Sequence, residues 1–244
     1  MNALFFVGNK RSGTSMLVRL LNKHPKIFVS HESGALWLIW QHTTGQQLAP
    51  CATDKDPNSI LATLHDYRSV IESDCSPWKK FKTIQLSLME AGNRWLPAMK
   101  GKALAYLGDK IPNSQFDLID FVRRNLPETV YIHMTRKPKD WIGSAKGFSK
   151  KLDYGNNSAE RLATWVKYEQ QVQFLKQKDR VITVSYEGLC QNPSQTMRFL
   201  CDQLGVGFDG FADLPKRFDV RTHEVYDFDY TPEALALMKE YGYE

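Results

Sequence analysis

Apolar and polar positions follow two rhythms along this chain. Residues 3–7, ALFFV, form a short unbroken apolar run that ends at Gly8. Such a run suits a strand covered on both faces of a parallel sheet. Beyond the polar loop that follows, Met16, Leu17, Leu20 and Leu21 recur at helical spacing up to about Lys23. His24-Pro25 predicts the end of that helix, because the residue before a proline resists the α region. KIFVS reads as a second strand with Ser30, His31 and Glu32 at its carboxyl end, and ALAYLGDK as a strand leading to Asp109 and Lys110. NSQFDLIDFVRRNL is an amphipathic helix with Asn113 as its cap. TVYIHMTR is an apolar strand, and PKDWIGSAKGF starts a helix with Pro138 in its favoured first turn. The long helix SAERLATWVKYEQQVQFLKQ, the strand RVITVSY and the helix NPSQTMRFLCDQLG follow. Strand and helix alternate, so the pattern predicts an α/β fold with a central parallel β-sheet flanked by crossover helices.

Between about residues 34 and 100 the rhythm is helical alone. GALWLIWQ, DPNSILATLHDYRSVIES and SPWKKFKTIQLSLMEAGNRWL each read as helix, and together as a helical insertion. Its Trp37, Trp40, Trp78 and Trp95 are expected to shape a ligand pocket or to fill core. No internal repeat or low-complexity linker interrupts the chain, which reads as a single domain over residues 1–244.

Composition narrows this only a little. The 244 residues are 42% apolar and 24% charged, ordinary for a soluble globular protein. The net charge of +5 suits an anionic ligand, but no basic tract reads as a nucleic-acid arm. Cys51, Cys75, Cys190 and Cys201 form no C-x-x-C pair and have no histidine cluster beside them. Reduced thiols and no metal are expected. No stretch is apolar for the ~20 residues that a membrane span needs. ALFFVG is too short for a signal peptide. The reading is a cytoplasmic protein.

The loop GNKRSGTS carries the first chemistry. Gly8 and Gly13 stand as do the two glycines of a nucleotide-binding phosphate loop. Such a loop wraps an anion with backbone N–H groups and aims a helix start at it. Thr14 occupies the lysine position, which argues against an ATP or GTP hydrolase. Lys10 and Arg11 lie inside the loop instead, and a guanidinium fork suits an oxyanion. Ser12, Thr14 and Ser15 add hydroxyls at the helix start. The second stretch, YIHMTRKPKDWIGSAKGF, puts Arg136 at a strand end and Ser144 about two helical turns on. That pair can take a phosphate.

KRSGTSML resembles the 5′-phosphosulfate loop of sulfotransferases, close to P-[RK]-S-G-T-[ST]-x-L, with Lys10 in the usual proline position. RKPKDWIGS is similar to the family's 3′-phosphate motif, R-[DN]-P-x-D-x-x-x-S, with Arg136, Pro138, Asp140 and Ser144 in register and Lys137 where an acidic or amide residue is usual. VITVSYEGLCQNPSQTMRFLCDQLGV resembles a third family segment, which implies that Tyr186 approaches the adenine. The three segments span residues 5–206 in order. The resemblance implies a P-loop-like fold and 3′-phosphoadenosine 5′-phosphosulfate as donor, leaving 3′,5′-adenosine bisphosphate as product. Arg11, Gly13, Thr14 and Ser15 would then hold the phosphosulfate. Lys216, Arg217 and Arg221 could add contacts but read as surface charges.

Sulfuryl transfer to an alcohol needs a base for the hydroxyl proton and cations for the developing charge. Its phosphate leaving group is a good one, so no metal is demanded. SHES at the end of the second strand offers His31 and Glu32. Sulfotransferases use histidine or glutamate near this point, and the spacing here resembles the glutamate-using carbohydrate and tyrosylprotein types. Glu32 is therefore the expected base and His31 the alternative. Lys110, in a turn like the family's DK-[TS]-P, is the candidate for steadying the transferred sulfate. His133, inside an apolar strand, reads as a core histidine. The expected partner is a carbohydrate or other small-molecule acceptor, with no nucleic acid. A P-loop nucleotide kinase or NTPase, or a non-catalytic nucleotide-binding module, stays open as an alternative.

Overall fold

The computed structural model describes residues 1–45, 67–90, 103–111, 116–126, 128–146, 154–220 and 228–243. Cys51, Trp95, Asn113, Arg221 and most of the helix expected over DPNSILATLHDYRSVIES lie outside the described residues. Among the described residues there are five strands: β1 (Asn2–Val7), β2 (Ile27–Ser30), β3 (Tyr106–Lys110), β4 (Thr129–Thr135) and β5 (Arg180–Ser185). They form one parallel sheet in the order β2-β3-β1-β4-β5. Residues 3–7 of β1 and all of β2 and β3 are buried, as the apolar runs ALFFV and IFV require, and the burial extends to Ser30, Asp109 and Lys110 at the strand ends.

The helices of the N-terminal half are α1 (Thr14–Leu21), α2 (Ala35–Thr44), α3 (Arg68–Ile71), α4 (Pro77–Glu90) and α5 (Phe116–Asn125). Those that follow are α6 (Pro138–Lys146), α7 (Ser158–Lys176), α8 (Tyr186–Gln191), α9 (Pro193–Leu204) and α10 (Pro232–Glu240). Two of these depart from the sequence pattern. RVITVSY reads as strand through Tyr186, but β5 stops at Ser185. The Ser185 hydroxyl accepts from Gly188 N at 3.0 Å and caps α8 there, so Tyr186 becomes the first helical residue. The sequence reading also passed over α10, although Thr231 caps it and Pro232 fills its first turn.

By its contacts the chain divides into two compact units. One comprises Met1–Phe5, Leu17–Ile111 and Gln115–Val130, the other Phe6–Met16, Pro112–Ser114 and Tyr131–Glu244. In the first, Phe5 meets Phe81 of α4 with ring centroids 5.5 Å apart, and α2 buries Leu36 and Ile39. Of the tryptophans expected to shape a pocket, Trp40 is buried and meets half-buried Trp37 edge-on, while Trp78 stacks on Phe81. In the second unit Trp141, Tyr154, Leu162, Trp165, Ala234 and Leu237 form one cluster that joins α6, α7 and α10. The side chain of Asn157 starts α7 by accepting from Glu160 N at 2.9 Å.

Candidate functional site

The second unit holds an anion cradle built from three elements. Its base is the loop between β1 and α1. Gly8 and Gly13 have φ of 119° and 91°, conformations that suit glycine. Space demands glycine at 13 as well, since a Cβ there would lie 2.5 Å from Cδ2 of Tyr186. Arg11 also has a positive φ, 78°, and is one of only two such non-glycine residues among the described ones. A left-handed backbone is costly for a residue with a side chain and persists where its surroundings enforce it.

Those surroundings are visible. Arg136 Nη1 donates to the Arg11 carbonyl at 3.0 Å, across 125 residues of chain. Trp141 Nε1 donates to the Lys10 carbonyl at 2.7 Å. The Arg11 Nε stands 3.3 Å from the Ser144 hydroxyl oxygen. The two motifs thus meet, with Arg11 of one touching Ser144 of the other.

Arg136 is nearly buried, and its guanidinium lies 4.4 Å from the centre of the Tyr186 ring. Trp165 Nε1 donates to the Arg136 carbonyl at 3.2 Å, and Lys137 N donates to Glu187 Oε1 at 3.0 Å. The turn after β4 is therefore held by three elements at once. Thr14 is buried at the start of α1, while Lys10, Gly13 and Ser15 are half-buried. The buried Ser12 hydroxyl has no hydrogen-bond partner among the described residues. A buried hydroxyl left over in a turn that carries Arg11 and is met by Arg136 fits an oxyanion ligand. Lys216 and Arg217 are exposed.

The first unit holds a second group at the carboxyl ends of β2 and β3. These strands pair in parallel with Ser30 opposite Asp109, which brings the residues after them together. Lys110 Nζ lies 2.7 Å from Glu32 Oε1, with the side chains 8% and 24% exposed. Glu32 is the other non-glycine residue with a positive φ, 53°. Ser33 fixes the turn just after it: its amide reaches both Asp109 oxygens at 3.2 and 3.1 Å, and its hydroxyl donates to Asp109 Oδ2 at 2.5 Å. Gln85 Nε2 donates to the same hydroxyl at 3.0 Å.

Burial pushes the Asp109 carboxyl up to about 6, against the opposing pull of its Ser33 and Ser30 hydroxyl and backbone hydrogen bonds. His31 moves the other way, down to about 4, because burial and then the Lys110 charge disfavour the imidazolium, while Glu32 pulls back. At neutral pH His31 is neutral. Among the described residues no group of three or more His, Cys, Asp or Glu is placed to hold a metal ion. Nor is any described helix long and apolar enough to cross a membrane.

Of the candidate site residues, Lys216 and Arg217 join neither group, while Lys10 to Ser15, Arg136, Ser144 and Tyr186 fall in the first and His31, Glu32 and Lys110 in the second. What the sequence reading missed is their support: Asn9, Trp141, Trp165, Glu169 and Glu187. A signal existed for Trp141, which sits inside the second motif. Glu169 lies in the middle of a long polar-rich helix and gave none.

Comparison with known proteins fits this arrangement. No curated protein matches the chain significantly. Among solved structures, the sulfotransferase domain from the curacin biosynthetic pathway is similar with a TM-score of 0.62 at 17% identity, covering 100% of this chain and 98% of that one. The sulfotransferase domain of the Synechococcus PCC 7002 olefin synthase is similar with a TM-score of 0.60 at 18% identity, covering 100% and 94%. At such identities the likeness establishes the fold. The profile described as "Sulfotransferase family" matches residues 3–210, most of the chain and both motif segments. The chain belongs to the sulfotransferase family.

Proposed function

We propose that this sulfotransferase takes 3′-phosphoadenosine 5′-phosphosulfate as its donor and a hydroxyl of a carbohydrate or other small molecule as its acceptor. The observation that carries the reading is the meeting of the two arginine motifs, with Arg136 on the Arg11 carbonyl and Arg11 beside Ser144. A ligand with an anion at each end of a nucleoside calls for two adjoining basic subsites. The lysine position of a nucleotide triphosphatase is Thr14 here, which takes away that lysine's grip on a β,γ-phosphate pair. We read the whole chain as one sulfotransferase domain, cytoplasmic, with three thiols free among the described residues.

The nucleotide supplies the sulfuryl group. The backbone amides of the Gly8–Thr14 turn, the Ser12 hydroxyl and Arg11 bind its sulfated end. Arg136 and Ser144 bind the 3′-phosphate, and Tyr186 gives the adenine an aromatic wall. Glu32 accepts the proton of the attacking hydroxyl. Its partner Lys110 holds the carboxylate in one orientation and offers a positive charge to the transferred group. His31, neutral at pH 7, is the alternative acceptor of the hydroxyl proton.

Thermal-shift titration tests the donor reading directly. Stabilisation by 3′,5′-adenosine bisphosphate, with none by ATP and Mg²⁺, is the expected result. The reverse pattern would make the chain a nucleoside triphosphate enzyme. Binding of the bisphosphate with no transfer to any acceptor would leave a nucleotide-binding module.

A further inference from the structure

The cradle accounts for Lys10 to Ser15, but the residue just before them turns the other way. Asn9 is fully buried, and its Nδ2 donates to Glu169 Oε1 at 2.8 Å, across 160 residues of chain. The other oxygen of that carboxylate, Oε2, stands 3.0 Å from His133 Nε2, and both side chains are 0% exposed. His133 also floors the loop. A Cβ added to Gly8 would lie 3.0 Å from its Cδ2. Tyr241, just past α10, brings its hydroxyl to the same carboxylate and accepts from Gln173 Nε2 at 2.7 Å.

A carboxylate out of reach of water costs several kcal/mol unless it is matched by donors. Proteins keep such groups where a fixed geometry compensates. Here Asn9 of the phosphate loop donates to one oxygen, His133 of β4 faces the other, and Tyr241, which follows α10, lies beside them. Nothing in the proposed chemistry uses Glu169, and a buried apolar residue would fill α7 at lower cost.

We propose that Glu169 is the positioning residue of the phosphate loop. It grips Asn9 from beneath and so presets the amides of the following residues for the anion. Tyr241 completes the anchor and couples the α10 segment to the loop. This rests on the proposed donor site for its purpose, but not for its physical test. With Asn9 held, the left-handed turn at Arg11 starts from a fixed point. Once released, the loop samples other conformations, and an anion must reorganise it on binding.

The test uses three variants of the full chain: Glu169→Gln, Asn9→Ala and Tyr241→Phe. Amide hydrogen exchange is read at residues 10–15 without ligand, alongside the thermal midpoint and the affinity for 3′,5′-adenosine bisphosphate. Faster exchange confined to the loop is expected in all three, largest for Glu169→Gln and Asn9→Ala. Affinity should fall about tenfold, as when an outer-shell partner of a ligand site is lost. The double variant of Glu169 and Asn9 should cost little more than either alone, because one link is being cut twice. A residue that served only global stability would instead lower the midpoint and leave loop exchange and non-additivity absent. Unchanged loop exchange in a folded Glu169→Gln or Asn9→Ala protein overturns the proposal. If Glu169→Gln does not fold, Asn9→Ala and Tyr241→Phe decide it. Should the parent protein ignore the bisphosphate, the donor reading fails, while the exchange result still judges the anchor.

Discussion

Gly13→Ala should destabilise the phosphate loop through both its backbone and its packing. Two penalties act together. The backbone at Gly13 has φ of 91°, and an L-residue forced into left-handed space loses roughly 1–2 kcal/mol. The new methyl would also sit 2.5 Å from Cδ2 and 3.0 Å from Cε2 of Tyr186. Relief requires the Tyr186 ring to move, and that ring lies against the Arg136 guanidinium. Overpacking of this kind costs about 1–3 kcal/mol. The sum, roughly 2–5 kcal/mol, is a large share of a domain stability of about 5–15 kcal/mol. It corresponds to a midpoint lower by roughly 4–20 °C for a chain of this length. Urea denaturation of the parent, Gly13→Ala, Tyr186→Ala and the double variant separates the two parts. Tyr186→Ala removes the collision but not the backbone penalty, so the double variant should be less unstable than the sum of the singles by about 1–3 kcal/mol. Additivity within about 0.5 kcal/mol, or a fully stable Gly13→Ala protein, would refute the packing argument.

The site makes further predictions. Arg11→Ala should abolish sulfuryl transfer and weaken bisphosphate binding, and near-normal turnover would remove Arg11 from the cradle. Glu32→Gln should keep bisphosphate affinity and lose roughly 10²–10⁴ in kcat, the usual worth of a positioned base, whereas an unchanged rate would move the role to His31 or to no side chain. Asp109 and His31 should tilt the pH dependence of stability in opposite directions. The folded-state pKa of Asp109 is raised from 3.8 to about 6, so its burial costs about 3 kcal/mol at pH 7, and that cost disappears as pH falls through 6 towards 4. His31, lowered from 6.5 to about 4, makes the folded state lose stability over nearly the same window as pH falls. The parent should therefore be nearly flat between pH 4 and 6.5 in these two contributions. Asp109→Asn should become less stable on acidification and His31→Gln more stable, as read by denaturation at a series of pH values. Matching slopes in the two variants would contradict the burial of one of them.

Much of the fold was legible because its strands are apolar without interruption. ALFFV, KIFVS and TVYIHMT can only be covered on both faces, and each became a strand within a residue or so of its expected limits. The break before Pro25 and the glycine loop placed α1 equally well. β3 began three residues later than ALAYLGDK suggests, since Ala103 and Leu104 are apolar without being strand. The α8 turn was hidden because a serine cap outweighed the strand propensity of the Val-Ser-Tyr run. Tyr186 thereby stands at a helix start, with its ring against Gly13. The residues that carry charge or hydroxyls announced themselves by local spacing. Those that hold the loop from behind did not. Asn9 and Glu169, 160 positions apart, have no shared pattern to read, and only the folded chain makes them neighbours.

The two non-glycine residues with left-handed backbones, Arg11 and Glu32, have a bearing on protein engineering. Glycine at Arg11 would relax the turn and raise heat resistance by up to about 1 kcal/mol, whereas at Glu32 it would also take from nearly buried Lys110 the carboxylate 2.7 Å away. A laboratory selection that rewarded survival at high temperature alone would be drawn to Arg11 and would discard a guanidinium in doing so. Any campaign to toughen this enzyme should therefore freeze that codon and spend its diversity elsewhere.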